Sequence, residues 1–117
     1  MVNILYILLI SLFVQYKPIK TLSCRVSMYT ATTRECGPAP FKTANGSLIK
    51  DPMNASQLRW CAVSKDLPYR YGDSIYVSCK NNWYKVVDRC GIPNTIDILE
   101  SVGTKPYLFK NCLIEKK

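Results

Sequence analysis

The sequence predicts a small all-β domain. Three observations carry that expectation: six short runs rich in β-forming residues, turn residues between them, and no amphipathic helix of useful length. The first strand is expected over Ser27 to Thr33, SMYTATT, which is rich in β-formers and roughly alternating. From Glu35 to Leu58 the chain carries Gly37, Pro38, Pro40, Gly46 and Pro52 without a sustained period, so this stretch is expected to be a long loop. Strand character resumes at Arg59 to Ser64, RWCAVS, and DLPYRYGD then supplies a turn through Pro68 and Gly72. SIYVSC, Ser74 to Cys79, and WYKVV, Trp83 to Val87, flank Lys80-Asn81-Asn82 and predict a β-hairpin, with Asp88 at the end of its second arm. In Thr95 to Leu99, TIDIL, Ile96 and Ile98 face one way and Asp97 the other, as a strand of period two requires. A short helical turn is expected over Glu100 to Gly103, and Pro106 to Leu113, PYLFKNCL, closes the chain as the last strand. Strands without helices to cover them form a barrel or a sandwich.

The apolar run Ile4 to Val14, broken only by Ser11, has the length of a signal-peptide core and is short for a bilayer span. Residues 1–23 are read as a secretion signal, with Thr21 and Ser23 as the small residues before cleavage at Cys24 and a retained anchor as the alternative. Residues 24–117 then form one domain. A domain of that size buries only about two-thirds of its unfolded surface, so covalent staples contribute much of its stability. Six cysteines, Cys24, Cys36, Cys61, Cys79, Cys90 and Cys112, fit three disulfides in an oxidising compartment, with the pairing open. No CxxC pair and no histidine occur, so the usual zinc ligand sets are missing and no metal or cofactor is expected. Without an imidazole, serine and cysteine triads are excluded as well. Asn45-Gly46-Ser47 and Asn54-Ala55-Ser56 are glycosylation sequons in the polar loop, which makes Asn45 and Asn54 candidate acceptors.

The order of short elements is more specific than the composition. ATT, CG, TANG, AVSKDLPYRYGDSIYV, VVDRC and TIDILES follow one another between Tyr29 and Ser101. This succession resembles the double-psi β-barrel superfamily of rare lipoprotein A, expansins, barwin and family-45 endoglucanases. The resemblance implies a six-stranded, disulfide-stabilised barrel. Its cysteine in VVDRC is similar to the secreted expansin and barwin branch, whereas the bacterial wall enzymes usually carry glycine there.

The resemblance also implies roles. Asp97 stands where lytic transglycosylases and endoglucanases of the superfamily keep their general acid. Asp88 matches the aspartate that rare lipoprotein A pairs with a histidine, and Ser64 occupies the position of that histidine here. Glu35 is the remaining candidate for the second carboxylate of family-45 enzymes. A glycosidase usually needs an acid and a second carboxylate about 5–10 Å apart. A lytic transglycosylase manages with one acid that later acts as base. Asp97 alone could therefore support transglycosylase chemistry, while hydrolysis would require Asp88, Asp66 or Glu35 beside it.

Charge and aromatic content complete the expectation. A net charge of +8 favours anionic partners such as acidic polysaccharide, or a membrane surface if the N-terminal segment is retained. No nucleic-acid-binding motif appears. Among eight tyrosines and two tryptophans, Tyr29 and Tyr71 are the candidates for stacking on sugar rings. The expected function is a secreted, monomeric, expansin- or barwin-like protein that binds extracellular or cell-wall polysaccharide without strong hydrolysis, with Asp97, Asp88, Tyr29, Tyr71 and Ser64 at its site. The alternatives are a lytic transglycosylase or endoglucanase-like enzyme with Asp97 as acid, and an interaction or virulence factor using the barrel as scaffold.

Overall fold

The computed structural model describes residues 21–32 and 41–117. Six strands, β1 (Thr21–Thr30), β2 (Trp60–Ser64), β3 (Ser74–Val77), β4 (Asn82–Cys90), β5 (Thr95–Glu100) and β6 (Phe109–Lys116), close into one barrel. The order around it is β1-β5-β2-β4-β3-β6. β1 and β5 are parallel, as are β2 and β4, and the other neighbours are antiparallel. Closure leaves no unpaired sheet edge.

The alternation read in the sequence builds the core. Ile75 and Val77 of β3, Tyr84 and Val86 of β4, and Ile96 and Ile98 of β5 all point inward and are almost fully buried. Burying each such side chain stabilises the fold by roughly 1.5–3 kcal/mol. A second cluster forms where the segment before β2 packs on the barrel: Ile49 and Ala55 meet Tyr29, Ala31, Ala62 and Leu99. That segment is less irregular than its composition predicts. Lys42 bridges to Leu48, and Pro52–Leu58 forms a 3₁₀ segment with proline in its first turn.

Several boundaries differ from expectation. β1 begins at Thr21, because Thr21, Leu22 and Ser23 pair with Glu115, Ile114 and Leu113 of β6. The boundary expected after Ser23 therefore falls inside β1, while the apolar run before it lies outside the described residues. β6 starts at Phe109 and β5 continues through Glu100, where a helical turn was expected. The hairpin connection is a 3₁₀ turn, Ser78–Lys80, followed by Asn81 in the left-handed region at φ 51°.

One disulfide is present among the described residues, Cys79–Cys112, with Cα atoms 5.7 Å apart. It ties the 3₁₀ turn of the hairpin to β6. Cys24, Cys61 and Cys90 are free thiols, and Cys36 lies outside the described residues. Bridges were expected at Cys24, Cys61 and Cys90, and none is formed at these three thiols. Cys24 and Cys61 both face the core, but β5 separates their strands. Two strand spacings amount to about 9–10 Å, beyond the reach of a disulfide. The register partner of Cys24 is Cys112, which is already bridged.

Candidate functional site

One row of residues crosses four strands on the outer face. Ser27 of β1 is opposite Asp97 of β5, Asp97 is opposite Ala62 of β2, and Ala62 is opposite Asp88 of β4. Side chains in register share a face, so VVDRC and TIDIL, distant in sequence, meet here. Fully buried Ile96 and Ile98 flank Asp97, and the alternation turns its carboxylate away from the core. Asp97 is half-buried, and its Oδ1 accepts the Ser27 hydroxyl at 2.8 Å. Two thiols feel its charge. Burial, then the carboxylate of Asp97, pushes Cys90 up to about 11. Burial, Cys90 and Asp97, in that order, push Cys61 well above the usual thiol range.

Asp88 reaches this row through a bulge. Cys61 is opposite Val86, but Ala62 is opposite Asp88, so Val87 is the extra residue of β4. Strict alternation from Tyr84 and Val86 would have sent Asp88 inward. Its Oδ1 instead accepts the backbone N–H of Ala44 at 3.1 Å and of Arg89 at 2.9 Å. The same loop is held by Asn45, whose N–H donates to the Val87 carbonyl, and it turns through Gly46 at φ 88°, a left-handed angle that glycine adopts without strain. Asp88 thus anchors the Thr43–Gly46 turn onto β4.

The other expected residues have separate settings. Ser64 is buried and its hydroxyl accepts the Thr95 N–H at 3.0 Å, an interaction that ties β2 to the start of β5. Tyr29 is 9% exposed within the second cluster, so it presents little ring surface. Tyr71 is 43% exposed, with the Arg89 guanidinium carbon 4.9 Å from its ring centre. Asp66 accepts the Asn94 N–H at 3.0 Å, and hydrogen bonds, first from Ser64, hold its carboxyl below the usual range. Glu35 lies outside the described residues. Asn45 and Asn54 are exposed, and the Asn54 amide nitrogen donates to Asp51 at 2.6 Å. No three side chains of metal-ligand type converge among the described residues.

The sequence reading missed Glu100. Its buried carboxylate accepts Tyr107 Oη at 2.7 Å, Lys80 Nζ at 3.0 Å and Ser56 Oγ at 3.0 Å. The Lys80 ammonium also lies 4.4 Å from the Tyr107 ring centre. Burial raises the Glu100 pKa, but hydrogen bonds from Tyr107, Lys80 and Ser56 outweigh it and hold the carboxyl below the usual glutamate range. Ser56 in turn receives the Ser101 N–H, so the carboxylate fastens the 3₁₀ segment, the hairpin turn and the approach to β6 together. The signal was present in TIDILE, where Glu100 shares the parity of Ile96 and Ile98.

Comparison of the chain with protein-family models, curated proteins and solved structures finds no match in any of the three.

Proposed function

We propose that the chain is a secreted double-psi β-barrel of expansin and barwin type, which holds extracellular or cell-wall polysaccharide on its Asp97 face without strong hydrolysis. The observation that carries this reading is the pairing of Asp97 with the Ser27 hydroxyl in a row that also contains Asp88. Asp97 is half-buried beside the Ser27 hydroxyl, a pairing of acceptor and donor that suits sugar hydroxyls. Asp88, the other carboxylate of the row, gives its Oδ1 to two backbone amides, a structural use of that oxygen. The closed six-stranded barrel agrees with the resemblance carried by TANG, VVDRC and TIDIL.

A second reading rests on the same geometry. A lytic transglycosylase needs a single carboxyl group that serves as acid and then as base, and Asp97 is the aspartate of the row whose acceptor bond comes from a side-chain hydroxyl. The two readings separate when purified protein is mixed with insoluble peptidoglycan, β-glucan and acidic polysaccharide, and both retained protein and released sugar are measured. Retention on at least one polymer without soluble product is expected. Soluble anhydro-sugar would replace the binding reading with the enzymatic one. Retention on none would leave the barrel as a scaffold for another kind of partner.

A further inference from the structure

Arg89 is the residue the proposed site leaves unexplained. It follows Asp88 in β4 and shares the register of Val63, a core residue, so it lies on the opposite face of β4 from Asp88 and the row that contains Asp97. Its side chain is half-buried, and its Nη1 is buried without a hydrogen-bond partner. Arginines in such settings ordinarily carry a carboxylate, because a guanidinium presents a planar fork of donors that fits one. Here no ion pair reaches Arg89 among the described residues, where the two ion pairs are Lys80–Glu100 and Lys116–Asp73. Asp88, next in the chain, uses its Oδ1 for the backbone.

What Arg89 does contact is Tyr71, whose ring it covers at 4.9 Å while 43% of Tyr71 stays exposed. Tyr71 is held in place from behind. The Gly72 N–H donates to the Val86 carbonyl at 2.8 Å, and the Val86 N–H donates to Asp73 at 2.9 Å, so the Tyr71 loop is laced to β4. The result is a positioned aromatic ring beside a guanidinium that pairs with no carboxylate among the described residues. Arg70, exposed, adjoins it in the chain. A sugar ring bearing an anionic group matches both parts: its C–H face meets the tyrosine and its charge meets the guanidinium.

We propose that Arg89 and Tyr71 form a subsite for an anionic sugar, so that the polymer bound is an acidic polysaccharide. The inference rests on the glycan-binding reading and narrows its substrate class. The charged group is a carboxylate of a uronic acid or a sulfate ester, which share the chemistry of an oxyanion on a sugar ring. The half-buried setting strengthens the interaction relative to an exposed lysine, since screening by water and salt is reduced.

The test compares retention of wild type, Arg89→Gln, Arg89→Lys and Tyr71→Ala on polygalacturonate, dextran sulfate and neutral β-glucan at low and moderate salt. Wild type is expected to prefer an acidic polymer, and its preference for polygalacturonate or dextran sulfate tells carboxylate from sulfate. Arg89→Gln is expected to weaken that binding by about tenfold or more, with Arg89→Lys intermediate because it keeps charge and loses the fork. Tyr71→Ala removes an exposed ring, so it reports on the subsite even if Arg89→Gln folds poorly. Equal binding to neutral and acidic polymers, or acidic binding that both Arg89→Gln and Tyr71→Ala leave intact, overturns the subsite while leaving glycan binding in place. Retention on none of the three polymers overturns the subsite together with the reading it rests on.

Discussion

Asp88 and Asp97 stand on either side of Ala62 in one register row, yet Asp88 accepts two backbone amides while Asp97 accepts a serine hydroxyl. Asp88→Ala would leave the Ala44 N–H without its acceptor and release the turn that carries Asn45. A loss of about 1–3 kcal/mol is expected for removing one such partner, with Asp88→Asn milder because it keeps an acceptor oxygen. Urea unfolding checks this, together with faster amide exchange at Ala44. A variant as stable as wild type would remove the anchoring role.

Much of the barrel was legible because period-two alternation is a direct consequence of strand geometry. TIDIL and SIYV show it cleanly, and their isoleucines and valine do line the core. The start of β1 was not legible, since Thr21-Leu22-Ser23 acquires strand structure by pairing with β6, a contact nearly the length of the chain away. The outward setting of Asp88 depends on the bulge at Val87, which breaks the parity that the sequence displays. Tyr29 looks like an exposed aromatic residue until Ile49 and Ala55 pack around it, and no local pattern announces that packing. Glu100 was readable from its parity with Ile98 but was assigned to a turn instead.

Glu100 gives the fold a specific acid sensitivity. Its carboxyl is held below the usual glutamate range in the folded state, so its contribution is present above the unfolded pKa of about 4.3 and is lost as pH falls through the lower folded value. The unfolding free energy of wild type should therefore drop more steeply below about pH 5 than that of Glu100→Gln, which is less stable at neutral pH. Parallel slopes for the two proteins between pH 6 and 3 would contradict the lock.

The thiols should respond unequally to chemistry. Cys24 is buried and pushed up to about 11, first by desolvation and then by Asp66, and Cys61 lies deeper still. Alkylation of the native protein at pH 8 should leave both untouched, while peptide mapping recovers the Cys79–Cys112 bridge. Reducing that bridge should cost about 2–4 kcal/mol. A Cys24–Cys112 peptide, or a bridge to Cys61, would contradict the connectivity.

Tyr69 offers a test in the opposite direction. It is 3% exposed, and its hydroxyl is buried without a hydrogen-bond partner. Removing an unsatisfied buried hydroxyl relieves a desolvation cost. Tyr69→Phe should be as stable as wild type or more so in thermal unfolding, and a clear loss of stability would reveal a partner for that oxygen.

The proposed glycan-binding role requires that Asp97 hold the polymer without cleaving it. The most direct measurement is side-by-side retention and product release for wild type and Asp97→Asn on the polymer that wild type binds best. Wild type is expected to be retained without soluble sugar, and Asp97→Asn to bind about tenfold more weakly while melting at the same temperature. Soluble sugar released by wild type and abolished in Asp97→Asn would contradict that role, as would retention that the substitution leaves unchanged.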